Sequence, residues 1–215
     1  MDRTGLRPGG GVAAETPIWH SAAMKPVFLA LLVMLAASLP GRADGELDKR
    51  LSAFDKDRLA RFETIMAEAL AEARAGGAPE DVRLLEDALA GAPLPLEGGF
   101  DPTGDWKCRT LKAGGGLPLV AYGWFKCRIS DDGAGWMLRK LTGSQRTKGM
   151  FYTLSATRLA YVGAGYMLHE TPRRYGEDPQ HDQVAIAERR AANRLILLFP
   201  APQFDSKLDV LLLER

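Results

Sequence analysis

From residue 104 to the C-terminus, polar and apolar residues alternate with a period of two in eight short runs separated by turn residues. The runs span 104–111, 117–129, 136–142, 148–155, 158–166, 182–190, 194–199 and 207–215. Between them lie Ala113-Gly114-Gly115-Gly116, Asp131-Asp132-Gly133, Thr142-Gly143-Ser144 and Ala191-Ala192-Asn193, residues suited to the backbone angles of tight turns. No helical pattern intervenes, so hairpins joining antiparallel neighbours are expected. A sheet of this kind exposes two unpaired edges unless it closes on itself. The pattern predicts a mainly β fold, a small eight-stranded antiparallel up-and-down barrel over 104–215. Its one long connection is 167–181.

Upstream the period changes to 3.6. Leu51, Phe54, Leu59, Phe62, Ile65, Met66, Ala69 and Leu70 recur at three- and four-residue steps, which predicts one amphipathic helix over 47–74. Asp55 or Asp57 is expected to cap it, and Gly76-Gly77 to stop it in left-handed geometry. Pro79, Glu80 and Asp81 open a shorter helix with Val82, Leu85 and Leu89 as its apolar stripe. Residues 44–91 thus read as an acidic α-helical pair, and 92–103 as a Pro/Gly linker stiffened by Pro93 and Pro95. The net charge of +1 conceals +2 over 1–43, −6 over 44–99 and +5 over 100–215. A near-neutral chain gives no case for nucleic acid as a partner. Opposite charges on the two main segments favour helices docked on their own barrel, in a monomer.

Residues 27–39 form an apolar run of 13 residues, well short of the roughly 20 that a membrane-spanning helix needs. The run follows Met24-Lys25 and is followed by Pro40-Gly41-Arg42-Ala43, which reads as a signal peptide over 24–43 cleaved after Ala43. Residues 1–23 are then a disordered upstream extension from a misassigned start. The mature chain has no transmembrane span and is expected to be periplasmic or secreted, where disulfides persist. Its two cysteines are too few for a disulfide framework, but alternation places Trp106, Cys108 and Thr110 on one face of the first strand and Phe125, Cys127 and Ile129 on one face of the second. Cys108 and Cys127 are therefore expected to pair, a closure worth about 3 kcal/mol.

Two stretches carry a family resemblance: GDWKCRTLK with LPLVAYGWFKCRI, and RLILLFPAPQFDSKLDVLLLER at the C-terminus. Over roughly 45–215 the chain resembles an uncharacterised family of exported alphaproteobacterial proteins, domain of unknown function 4893. The resemblance implies export and assigns no activity and no catalytic residue. Gly104-Asp105-Trp106 is also similar to the Gly-x-Trp of the first lipocalin strand, a likeness that extends to avidin-like barrels and to barrel inhibitors of metalloproteases. It implies a lipocalin/calycin-like barrel with Trp106 as a plug at one end, covered by Arg194 or Arg215 through a cation–π contact.

Chemistry is sparse in this sequence. It contains no GxSxG, P-loop or HExxH, and Gly163-Ala164-Gly165 lacks the third glycine and following helix of a dinucleotide site, so no cofactor is expected. Gly163 and Gly165 read instead as a strand bulge or bend. The densest set of ionisable residues is the long connection, which holds the two histidines found after residue 43. His169, Glu170, His181 and Asp182 are chemically able to bind a divalent metal, and Arg173 and Arg174 with Tyr175 to grip an acidic ligand. Lys107, Arg109, Lys112, Lys126 and Arg128, with Tyr122 and Trp124, form a basic, aromatic face on the first two strands, read as an ordinary outer face or the dock for the acidic helices ahead of a site for an anionic surface. The reading is a non-enzymatic binding or envelope-interaction module for a small ligand or an envelope protein. A hydrolase or metal-dependent enzyme built on 169–182, or an inhibitor of an exported enzyme, is the alternative.

Overall fold

The computed structural model describes residues 43–215. The expected extension (1–23) and signal segment (24–43) lie outside the described residues, apart from Ala43. Eight strands follow in order: β1 (Gly104–Ala113), β2 (Leu119–Asp131), β3 (Trp136–Lys140), β4 (Gln145–Thr153), β5 (Arg158–Met167), β6 (Asp182–Ala191), β7 (Arg194–Pro200) and β8 (Leu208–Glu214). Each pairs antiparallel with its sequence neighbours, and β8 returns to β1, from Lys107 opposite Glu214 to Ala113 opposite Leu208, so the barrel closes. Closure satisfies the backbone groups that an open sheet would leave on its edges.

Alternation along the strands sorts the side chains. Trp106, Cys108, Cys127, Ile129, Leu138, Tyr161, Leu195, Leu197, Leu211 and Leu213 fill the interior, whereas Leu111, Leu119, Ile196, Leu198, Val210 and Leu212 point outward beneath helices. Cys108 and Cys127 form the expected disulfide. They are diagonal neighbours, for Cys108 stands opposite Phe125 and Cys127 opposite Trp106. The interior is thus packed by the barrel's own side chains over most of its length, as a small eight-stranded barrel permits.

One end is shut. Trp106 is buried, donates from Nε1 to the Pro102 carbonyl at 2.8 Å, and is covered by the Arg215 guanidinium 4.4 Å from its ring centre. Arg215 in turn donates to the carbonyls of Thr103 and Asp101 at 2.8 and 3.1 Å. Arg194 does not share this role; it pairs with Glu214 at 2.7 Å.

Gly163 and Gly165 make no bulge, because the β4–β5 register runs unbroken from Gln145 opposite Met167 to Thr153 opposite Leu159. Gly163 lies opposite Gly149, and a Cβ on either would fall within 2.6 Å of the Tyr161 ring or hydroxyl and of the facing backbone. The glycine pair makes room for the Tyr161 ring in the core. A register shift does occur between Arg109 and Leu111, where β2 carries an extra residue. This β-bulge leaves Tyr122, Gly123 and Trp124 exposed in succession.

The single helix expected over 47–74 is three: α1 (Ala43–Arg50), α2 (Ala53–Ala60) and α3 (Phe62–Gly76). Ser52, not Asp55 or Asp57, is the cap of α2: its hydroxyl accepts from the Asp55 N–H at 3.1 Å and donates to Asp55 Oδ2 at 2.7 Å. At Arg61 the backbone turns out of helical geometry (φ −92°, ψ 10°). Apolar spacing runs on across both breaks and so hides them. Nor does Gly77 end α3 in left-handed geometry; it is extended (φ −73°, ψ 153°), and a Cβ there would lie 2.6 Å from the Ala73 carbonyl oxygen. α4 (Pro79–Leu89) follows as expected, with Pro in its first turn.

Phe62, Ala69, Leu70 and Ala73 of α3 and Leu85 and Ala88 of α4 bury against the outward-facing Leu111, Leu119, Ile196, Leu198, Val210 and Leu212. Each large apolar side chain contributes about 1.5–3 kcal/mol. The charge pairs between segments, Lys207 with Glu72 at 2.6 Å and Arg158 with Glu63 at 3.0 Å, are exposed and worth about 0–1 kcal/mol each. Docking is therefore apolar first. The basic face is not the dock: Arg128 pairs with Asp105, while Lys107 and Arg109 lie 4.9 and 4.7 Å from the Trp124 ring centre, which is 41% exposed.

Candidate ligand-binding mouth of the barrel

The end opposite Trp106 is open and polar. β1 keeps its alternation through the bulge, because the extra residue lies in β2, so Leu111 faces outward to the helices and Lys112, in phase with Trp106 and Cys108, faces the barrel end. Thr110 and Lys112 on β1, Lys140 on β3, Thr147 on β4, Gln183 on β6, Phe199 on β7 and Asp209 on β8 meet there. Two connected cavities of about 140 and 70 Å³ share Gln145, Arg146, Gln183, Phe199, Pro202 and Asp209 in their walls. Gln180 and His181 of the long connection and Phe204 of the β7–β8 loop form the outer rim.

Lys140 is the unusual group. It is in phase with the interior residue Leu138 and only 7% exposed, and its ammonium sits 3.5 Å from Thr110 Oγ1 and 4.3 Å from the Phe125 ring centre. Among the described residues no carboxylate lies within ion-pair distance of it. Burial lowers its pKa to about 8, the nearby Lys112 and Arg146 acting in the same direction and Asp209 against them. Burial also pushes the Asp209 carboxyl above the usual range, although the Ser206 hydroxyl donates to it at 2.5 Å. Lys112 pairs with the exposed Asp205 at 3.4 Å. Deeper, Thr147 donates to Gln183 Oε1 at 2.6 Å and shares a 2.5 Å hydrogen bond with the Tyr161 hydroxyl, whose pKa burial raises well above its usual value.

The residues expected to form a site in the long connection are not brought together. His169 is exposed; Glu170 accepts from Arg173 at 2.8 Å and from the Met167 N–H at 2.8 Å, contacts that hold its carboxyl down at about 2. His181 Nδ1 lies 2.8 Å from Asp178, and Asp182 Oδ1 accepts from the Gly176 N–H at 2.8 Å. Among the described residues no three His, Cys, Asp or Glu side chains converge on a metal position. Arg173 is committed to Glu170, Arg174 is exposed, and Tyr175 points elsewhere.

Tyr175 serves as an anchor for the helices. Its hydroxyl donates to Asp55 Oδ2 and accepts from the Ser52 N–H at 2.9 Å. Asp55 and Arg58, each 1% exposed, form a 2.6 Å ion pair, and Arg58 also donates to the carbonyls of Asp182 (3.0 Å) and Ala201 (3.1 Å). These bonds tie α2 to both loops that rim the mouth.

Lys140, Thr147, Gln183 and Asp209 escaped the sequence reading because each sits in an ordinary alternating strand. The usable signal was phase: Lys140 shares the inward phase of Leu138, and Asp209 that of Leu211 and Leu213. A charged residue in the apolar phase of a strand is the informative exception.

No solved structure and no curated protein matches this sequence. Residues 49–213, which take in α2 to α4 and all but the last residue of the barrel, match the domain of unknown function DUF4893. The chain belongs to the DUF4893 family.

Proposed function

We propose that this protein is an exported, non-enzymatic binding module that holds a small molecule in the polar mouth of its barrel. The observation that carries the reading is the buried Lys140, without a carboxylate partner, in the wall of a cavity that opens at the barrel end. A packed floor, a closed far end and an open polar mouth are the features of a barrel that holds one small ligand. The cavity is smaller than the about 300–1,000 Å³ of sites for drug-sized ligands, which favours a compact molecule. Export is supported by the Cys108–Cys127 disulfide, which an oxidising compartment maintains, and by the apolar run before Ala43.

The test is purification from the envelope fraction of the native cells, followed by intact mass measurement and identification of bound small molecules. The expected protein begins at Asp44, carries one disulfide and retains a molecule that the Gln145→Trp variant, with its mouth blocked, has lost. Recovery of the same molecules from both proteins, or of none from either, removes the reading.

A further inference from the structure

We infer that the ligand is a small organic or inorganic anion whose negative charge is received by Lys140 at the base of the mouth. This inference rests on the binding reading above and names its chemistry. A buried ammonium without a counter-charge is costly, and such groups are normally paired or hydrogen-bonded. Lys140 has one long hydrogen bond, to Thr110, and an aromatic face, and it is 93% withdrawn from solvent by its 7% exposure.

The groups around it point the same way. Lys112 on β1 and Arg146 on β4 add positive charge to the same cavities, and Asp209 on β8 is the acidic group nearest in effect. Burial pushes the Asp209 carboxyl up while Lys112 and Lys140 act against it, and this single carboxyl stands among three cations. Asp205, the partner of Lys112, is 70% exposed at the rim, where solvent screens it. Thr110, Gln145 and Gln183 supply hydroxyl and amide donors beside Lys140. An entering anion displaces water from this pocket and supplies the missing counter-charge. It leaves the apolar core below, with Leu211 and Phe199, undisturbed.

The test is calorimetric titration of the oxidised chain with succinate, with inorganic phosphate and with the neutral succinamide. Saturable one-to-one binding of at least one anion is expected, weakened at least about tenfold in Lys140→Met at pH 7. Binding should also weaken from pH 7 to pH 9 as Lys140 gives up its proton, and Lys140→Arg, whose charge persists, should remove that dependence. Lys112, Arg146 and Asp209 face Lys140 in every variant, so the Lys140→Arg comparison isolates the Lys140 proton. Absence of saturable binding by both anions, or equal binding by Lys140→Met, overturns the inference. If succinamide or another neutral molecule occupies the mouth instead, the binding reading stands and the anion inference fails.

Discussion

Gly163 stands directly opposite Gly149 in the β4–β5 pairing, and the Tyr161 ring occupies the space that two side chains would otherwise take. A Cβ on Gly163 would lie 2.3 Å from the Lys148 carbonyl oxygen and 2.6 Å from Gly149 Cα, which are backbone atoms that cannot swing aside. Gly163→Ala is therefore expected to destabilise the protein by about 3 kcal/mol or more, at the upper end of overpacking costs. Gly165→Ala should cost far less, since the nearest atom there is the side-chain Gln183 Nε2 at 3.2 Å. Urea denaturation of the two variants checks the contrast.

The Cys108–Cys127 disulfide closes the first hairpin of the barrel. Oxidised protein should show no thiol titre in denaturant after residue 43, where those two cysteines are the whole complement. Replacing both by serine should lower stability by about 3 kcal/mol. A thermal melt with and without reductant gives the same comparison for the wild-type chain.

Asp55 and Arg58 are fully buried together, and their value lies in being paired. Asp55→Ala leaves the Arg58 charge without its carboxylate and should cost about 3–5 kcal/mol, whereas Asp55→Ala with Arg58→Met should cost less than the single change. A double-mutant cycle in denaturant measures the difference. Tyr175→Phe, which removes one hydrogen bond to the same carboxylate, should cost about 1–3 kcal/mol.

Lys140 gives stability a characteristic pH dependence. Its pKa falls from an ordinary 10.5 to about 8 on folding, so between those values the unfolded chain binds the proton that the folded chain has released. Stability should therefore rise with pH across that window, with the cost of the buried ammonium, roughly 3 kcal/mol, present in full below pH 8. Lys140→Met should raise stability at pH 7 and flatten the rise. Chemical denaturation from pH 7 to pH 10 follows both effects. A more stable variant that binds its ligand less well would mark Lys140 as a group kept for binding.

The barrel was legible because strand alternation and glycine-rich turns are local. Each inward Leu or Trp announces its face within four or five residues, and the count of eight runs leaves few topologies to choose from. The disulfide followed from the same phase argument. The helices were legible as apolar stripes, but their breaks at Ser52 and Arg61 were not, because the stripe runs across both. Charge was a weaker guide: it suggested how the helical arm docks, yet burial of Phe62, Leu70 and Leu85 carries that contact.

The sequence reading centred the candidate site on the long connection, of which His181 and Asp182 line the mouth. Arg173 and His181 pair with Glu170 and Asp178 of the same connection, while Tyr175 and the Asp182 carbonyl hold α2. The Thr, Lys, Gln, Phe and Asp side chains of the mouth are scattered over six strands, none of them notable alone.

Alternation and turn chemistry settle that the chain forms antiparallel strands and which side chains face inward, since both depend on neighbours in sequence. Closure of the barrel, the glycine pocket for Tyr161 and the gathering of Thr110, Lys140, Thr147, Gln183 and Asp209 around one cavity depend on register between strands far apart in the chain. Such a gathering leaves no spacing for a sequence to display, because a barrel brings its strand ends together in space and not along the chain.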